Sequence, residues 1–184
     1  MRNYFFLRHF ETIYNRNRLL SGCEMDIPVL KTSSISCDIR MDAVFCSDAL
    51  RCRQTVAAFL DGNPAPAVFF SNLLLERDLG ILQGKSRAIA AKMYPSLFEN
   101  GRLDVFSTPP EGESYAQFRR RTERAKAWIA QNSNYTDNVL ICSHNQFLKM
   151  LFFLLTGEPV EQSAWSRLTF PLGEIVRVSG VVEQ

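Results

Sequence analysis

The chain has 184 residues, a formal net charge of +2, and unremarkable apolar and charged fractions of 46% and 22%. That length fits one globular domain with a substantial core, and the near-balanced charge gives no reason to expect a nucleic acid or an anionic membrane as partner. The five cysteines (Cys23, Cys37, Cys46, Cys52, Cys142) are odd in number and contain no CxxC pair, which argues against a disulfide framework or a zinc site and for reduced thiols in the cytoplasm.

In chain order, the first element is a continuous apolar run, Tyr4 to Leu7, with the composition of a strand buried on both faces, followed at once by Arg8 and His9. No signal peptide is expected, because Arg8, His9 and Glu11 interrupt any apolar core there. Ile13 to Ser36 is loop-rich, punctuated by Asn15, Asn17, Ser21-Gly22 and Pro28. Ala43 to Cys46 reads as a second buried strand, with Ser47-Asp48 offering cap chemistry for a helix that runs to Leu60 and is ended by Gly62 and Pro64. Ala67 to Phe70 is a third strand. Leu73 to Gly84 is a loop carrying Glu76, Arg77, Asp78 and Gln83, and a helix from Ser86 to Tyr94 stops before Pro95.

Ser96 to Glu111 reads as irregular. Ser114 and Gln117 form a capping-box pattern that opens a long helix to Gln131. Its Arg119, Arg120, Arg121 and Arg124 read as a solvated face, with Glu123 one turn from Arg119. Asn138 to Cys142 is another buried strand, followed by a helix from Asn145 to Leu155 closed by Gly157. That helix contains Lys149 and is far too short to span a bilayer; its Phe147, Leu148, Leu151, Phe152 and Leu155 make a core-facing stripe. Leu168 to Val182 suggests one or two edge strands. Strands alternating with helices imply an α/β fold: a three-layer helix-sheet-helix sandwich with a mostly parallel, Rossmann-like sheet and an antiparallel edge strand, spanning residues 1–184 as a single domain.

Open parallel sheets bind ligands beyond the carboxyl ends of their strands. The only two histidines, His9 and His144, each follow a predicted strand, so a parallel central pair would bring both imidazoles to one sheet edge. A guanidinium beside an imidazole suits a phosphate or a carboxylate. Beyond the end of the second predicted strand, one of Arg51 and Arg53 could face the same site; helical spacing alone does not choose between them.

The ordered set of motifs resembles the histidine phosphatase superfamily, the phosphoglycerate-mutase-like proteins. Arg8-His9, Glu11-Thr12 and Asn15 resemble its RHGE(T/S)xxxN signature. Ser47 to Thr55 resembles its SxxxRAxQT segment, which selects Arg51. Leu75 to Gly84 is similar to its LxERxxGxxxG loop, Pro110 to Ser114 to its PxGES turn, and Leu140 to His144 to its strand ending in SHG. The resemblance implies a metal-independent phosphatase without cofactor, acting on a small phosphorylated substrate. His9 would be the nucleophile that becomes phosphohistidine and Glu76 the acid and then base. Arg8, Arg51 and His144 would surround the phosphate oxygens, with Asn15, Ser21, Gly22 and Asn145 as phosphate- or substrate-binding residues. Ser114 is expected to act only as a helix cap.

Two departures stand out. Phe10 replaces the family glycine after the nucleophile, and Asn145 the glycine after the second histidine. The Phe10 ring is expected near the pocket rim, with an ordinary backbone. Asn145 is expected to cap a helix and to offer a donor near phosphate. The alternatives are phosphoglycerate mutase-type phosphoryl transfer, α-ribazole phosphatase, and a non-catalytic phosphate-binding module in which Phe10 blocks attack. The short segment between Glu76 and Pro110 favours the phosphatase over the mutase. A dimer is a candidate assembly.

Overall fold

The computed structural model describes residues 2–63, 65, 67–135 and 137–182. In chain order it forms β1 (Asn3–Arg8), α1 (Ile13–Arg16), β2 (Ala43–Ser47), α2 (Leu50–Gly62), β3 (Ala67–Ser71), α3 (Arg87–Met93), β4 (Phe98–Glu99) and β5 (Arg102–Leu103). Then follow α4 (Tyr115–Gln131), β6 (Asn138–Ser143), α5 (Asn145–Thr156), α6 (Gln162–Arg167) and β7 (Ile175–Arg177). The main sheet has the order β3-β2-β6-β1-β7. The first four strands of that order are parallel, and β7 runs antiparallel along the β1 edge. This is the expected α/β sandwich.

The strands are apolar at nearly every position because both sheet faces are covered. Alternate residues of each strand point to opposite faces. Tyr4, Phe6, Phe45, Val139 and Ile141 pack against Phe118, Ala125 and Ile129 of α4 and Phe147, Leu148 and Leu151 of α5. Their neighbours Phe5, Leu7, Val44, Cys46, Leu140 and Cys142 pack against Cys52, Val56 and Phe59 of α2. A smaller cluster of Leu20, Leu79, Leu82 and Ala90, joined by Tyr94, Phe98 and Leu103, builds a cap of loop, α3 and hairpin.

Several expectations need correction. Ser47 and Asp48 do not cap α2: its N-cap residue is Ala49, without a side-chain cap bond. Ser47 is the last residue of β2 and fully buried, and its hydroxyl is turned to His144. Asp48 instead pairs with Arg53. Helix α2 runs to Gly62; Pro64, expected to help end it, lies outside the described residues. The loop-rich stretch contains α1, held by a capping box between Thr12 and Asn15. The stretch expected to be irregular contains the β4–β5 hairpin, turned by Asn100 and Gly101 at φ of 49° and 72°. Such paired positive φ values are those of a type I′ turn, which Asn-Gly favours. Helix α6 is an element beyond those the sequence pattern predicts, and the tail forms one edge strand. The capping boxes at Ser114 and the αL stop at Gly157, φ 73°, are as expected.

Two loops interlock beside the sheet edge. Ile81 N donates to Pro110 O at 3.2 Å and Glu113 N to Asp78 O at 3.0 Å. Arg77, fully buried, threads between them, donating to Val105 O at 3.0 Å and to Glu113 O. The fit depends on Gly80, whose φ is +50° and where an added Cβ would lie 2.0 Å from Pro110 O. Gly80→Ala would combine a left-handed backbone with a clash against main chain, so it should lower the unfolding free energy by roughly 2 kcal/mol or more. Gly62→Ala, where nothing lies within 4 Å of the added methyl, should be neutral or stabilising by up to about 1 kcal/mol. Urea unfolding of both variants checks the contrast; equal effects would show that the loop interlock does not depend on Gly80.

Candidate active site

Strands β1 and β6 are paired in register, Leu7 opposite Cys142 and Arg8 opposite Ser143. The residues just beyond them are therefore neighbours: His9 N donates to Ser143 O at 3.1 Å, and the His9 and His144 rings lie 5.2 Å apart. Both imidazoles are buried. The carbonyl of Phe10 accepts from His9 Nδ1 at 2.7 Å. A carbonyl can only accept, so the ring proton sits on Nδ1 and Nε2 keeps its lone pair; this tautomer follows from the bonding pattern.

His144 has the opposite tautomer. Arg51 Nε donates to its Nδ1 at 3.2 Å, so its proton sits on Nε2, 2.9 Å from Ser47 Oγ. Arg51 is fully buried on the first turn of α2, while Arg53 is on the surface. The other Arg51 donors reach Glu24 O at 2.5 Å and Gly22 O at 3.1 Å. Three of the five guanidinium N–H groups are engaged in this way, leaving two free for an incoming oxygen.

Glu76 reaches the site from the loop after β3. Its Oε1 accepts from Arg77 N and Phe147 N, and its Oε2 from Gln146 N, each at 3.0 Å. The carboxylate thus sits on the amino end of α5, where the free amides and the helix dipole favour negative charge. Its loop is held from below by Arg121, which donates to Leu73 O at 3.0 Å, Leu75 O at 2.8 Å and Glu76 O at 3.1 Å. Arg121 also pairs with Glu113 at 2.7 Å. Burial pushes the Glu113 carboxyl up, but Arg121 and the Asp78 amide outweigh it and hold the group below its usual range. Arg121 therefore does not belong to a solvated face. The signal for its inward turn is helical spacing: Phe118, Thr122, Ala125 and Ile129 mark the buried face of α4, and Arg121 is three residues from Phe118.

Burial drives the pKa of both histidines well below the ordinary value of 6.5, and the neighbouring Arg51 and Arg8 act in the same direction. The rings are therefore neutral at neutral pH, and positive charge at the site resides on the guanidinium groups. Arg8 donates to Phe170 O at 3.1 Å, and its buried Nε has no protein partner among the described residues.

The remaining predicted residues divide. Asn15 Oδ1 accepts from Thr12 N and Thr12 Oγ1, leaving only its amide nitrogen as a side-chain donor. Gly22 serves Arg51 through its carbonyl, and Ser21 is the half-buried residue before it. Asn145 is the first residue of α5, after the N-cap His144, and its Oδ1 accepts from Phe170 N at 3.1 Å; it ties down the C-terminal segment rather than capping the helix. Gln83 Oε1 accepts from Cys23 N at 2.8 Å. Phe10 has no left-handed backbone, and its ring is buried in the cluster under α2 rather than at a pocket rim. It fits there because residue 173 is glycine: a Cβ at that position would meet the Phe10 ring at 2.4 Å. Among the described residues no group of three His, Cys, Asp or Glu side chains could hold a metal ion, and no helix is long and apolar enough to cross a membrane.

Comparison with known proteins adds the family. The family model "Histidine phosphatase superfamily (branch 1)" matches residues 4–180. A Schizosaccharomyces pombe protein named "Probable phosphatase C1687.21" is 29% identical over 97 residues, covering 48% of this chain and 46% of that one. The chain thus spans about half the length of that relative. A 2,3-bisphosphoglycerate-dependent phosphoglycerate mutase of Methanococcus vannielii is 24% identical over 216 aligned positions, covering 94% of this chain and 88% of the mutase. The fold is that of the solved Bacillus stearothermophilus YhfR, with a TM-score of 0.80 at 20% identity over 100% of this chain and 98% of YhfR. With a strand-end Arg-His pair, a second histidine on the adjacent strand and a match over nearly its whole length, this chain belongs to the histidine phosphatase superfamily.

Proposed function

We propose that the chain is a phosphatase that hydrolyses phosphomonoesters of small metabolites through a phosphohistidine on His9. The observation that carries this reading is the 2.7 Å bond from His9 Nδ1 to Phe10 O, which leaves Nε2 as an oriented lone pair in a neutral ring. In the first step the Glu76 carboxylate takes the proton of the singly protonated phosphate ester, Nε2 attacks phosphorus, the bond to the ester oxygen breaks, and that proton passes from Glu76 to the leaving oxygen. Oε2 of Glu76 accepts only one amide, so it has a lone pair to carry that proton. In the second step water attacks the phosphohistidine, Glu76 takes the water proton, and the N–P bond breaks. Arg8 and the free donors of Arg51 supply charge to the non-bridging oxygens, a task that metal ions perform in other phosphoryl-transfer sites. His144, neutral and braced by Ser47 and Arg51, fixes Arg51 beside the nucleophile. The burial of the Phe10 ring among the apolar residues under α2 argues against a blocked, non-catalytic module.

The mutase-named relative supports a second reading, in which the phosphohistidine returns its phosphate to a sugar acid. An assay with 2,3-bisphosphoglycerate primer separates the two: isomerisation faster than phosphate release would favour the mutase.

Phosphate release from p-nitrophenyl phosphate, with chelator present, should fall by about three orders of magnitude or more in His9→Ala. Wild-type-like turnover in that variant would sink the mechanism. Glu76→Gln should slow alkyl phosphates by roughly 10²–10⁴-fold and the activated aryl ester far less, because only the poor leaving group needs the proton.

The neutral histidines also set a pH dependence of stability. Their folded pKa lies below the unfolded value of 6.5, so on acidification the unfolded chain takes up protons that the folded chain refuses. Stability present above pH 6.5 is therefore lost as the pH falls, by up to about 1.4 kcal/mol per pH unit for each histidine. Urea unfolding at pH 7.5 and 5.5 should show this loss, and His9→Ala should shrink it; equal stability at the two pH values would contradict the buried neutral pair.

A further inference from the structure

Beside Glu76 a cleft of about 630 Å³ leads away between α5, α6 and the β4–β5 hairpin. Arg8, Arg87, Arg102, Lys149 and Arg167 line it, and no aspartate or glutamate does. This is unlike the chain as a whole, where 21 basic residues meet 19 acidic ones. Among the described residues the four ion pairs engage Arg16, Arg53, Arg119 and Arg121, none of them in the cleft.

Main-chain carbonyls, rather than carboxylates, position the cleft cations. Lys149 Nζ donates to Trp165 O at 2.8 Å, Arg8 to Phe170 O at 3.1 Å, and Arg102 to Ser166 O. Carbonyls fix the side chains without neutralising them. Burial above all, together with Arg102, Arg8 and Arg87 and against the opposing Glu76, lowers the Lys149 ammonium to about 8. Arg87 is likewise pulled down by burial and by Arg102 and Arg18. Like charges gathered around one cleft disfavour one another until an anion joins them. The cleft also touches the reacting centre: Asn145 and Gln146 line it, and Gln146 N holds the Glu76 carboxylate.

We propose that this cleft is a subsite for a second anionic group, so that the substrate carries a carboxylate or a second phosphate on the same small skeleton as the scissile phosphate. This rests on the phosphatase reading above, with the scissile phosphate at His9. Guanidinium forks suit both groups through paired N–H donors, and the buried Lys149 acts as a point charge at the cleft wall. An ester whose only anionic group is the scissile phosphate would leave the cleft charges uncompensated and should be a poor substrate.

The test is calorimetric titration with non-hydrolysable ligands: methylphosphonate with one anionic group, 3-phosphonopropionate with an added carboxylate, and methylenebisphosphonate with an added phosphonate. At least one two-anion ligand should bind ten-fold or more tighter than methylphosphonate, and which one does so tells carboxylate from phosphate. Arg102→Gln and Arg167→Gln, both at exposed positions on separate elements, should each remove most of that preference while the unfolding midpoint stays near wild type. Binding of all three ligands within two-fold, or a preference that survives both substitutions, overturns the subsite. Neither result depends on turnover, so the subsite can fail while His9-dependent hydrolysis stands, and the phosphatase reading can fail while the subsite stands.

Discussion

Parallel pairing of β1 with β6 is the constraint on which the site depends. It sets Arg8 opposite Ser143 and brings His9 and His144 to ring contact at 5.2 Å. The sheet can hold that register because alternate residues of both strands are locked into different helix layers, and a slip by one residue would exchange the two faces. The two imidazoles are then buried so deeply that neither protonates readily. Charge is left to guanidinium groups, which remain protonated under burial.

Glu76, the proposed acid, is placed by a different construction. Glu76 sits on a loop, where a carboxylate could take many positions, and three backbone amides fix it at the amino end of α5. Arg121 holds the carbonyls of the same loop, Glu113 neutralises Arg121, and Arg77 joins the loop to the turn after Pro110. Each buried cation meets carbonyls or a carboxylate, so desolvation is offset inside the loop pair itself. The interlock at Gly80 is the steric counterpart of this arrangement.

The cleft beside Glu76 follows the opposite rule. Its cations are aimed by carbonyls and left without carboxylate partners in the cleft lining. The contrast between Arg121, neutralised and structural, and Arg102 or Arg167, uncompensated at the mouth of the site, separates arginines that hold the protein together from arginines available to a ligand.

The sequence by itself determined the parallel α/β architecture, the strand-end positions of His9 and His144, the capping box at Ser114 and the family, since these rest on local runs and on the order of short motifs. The β4–β5 hairpin was legible in Asn100-Gly101 but lies in strands of two residues each, too short to show a period. Helix α6 is short, has no side-chain cap bond, and gave no local signal. Only the tertiary structure decided that Arg121 turns inward, that Phe10 is buried against Gly173, that Asn145 reaches Phe170, and that five cations converge on one cleft. The physical reason is common to all four. Local pattern reports which way a side chain leaves its own backbone, whereas its partner is set by chain that is distant in sequence and adjacent only after folding.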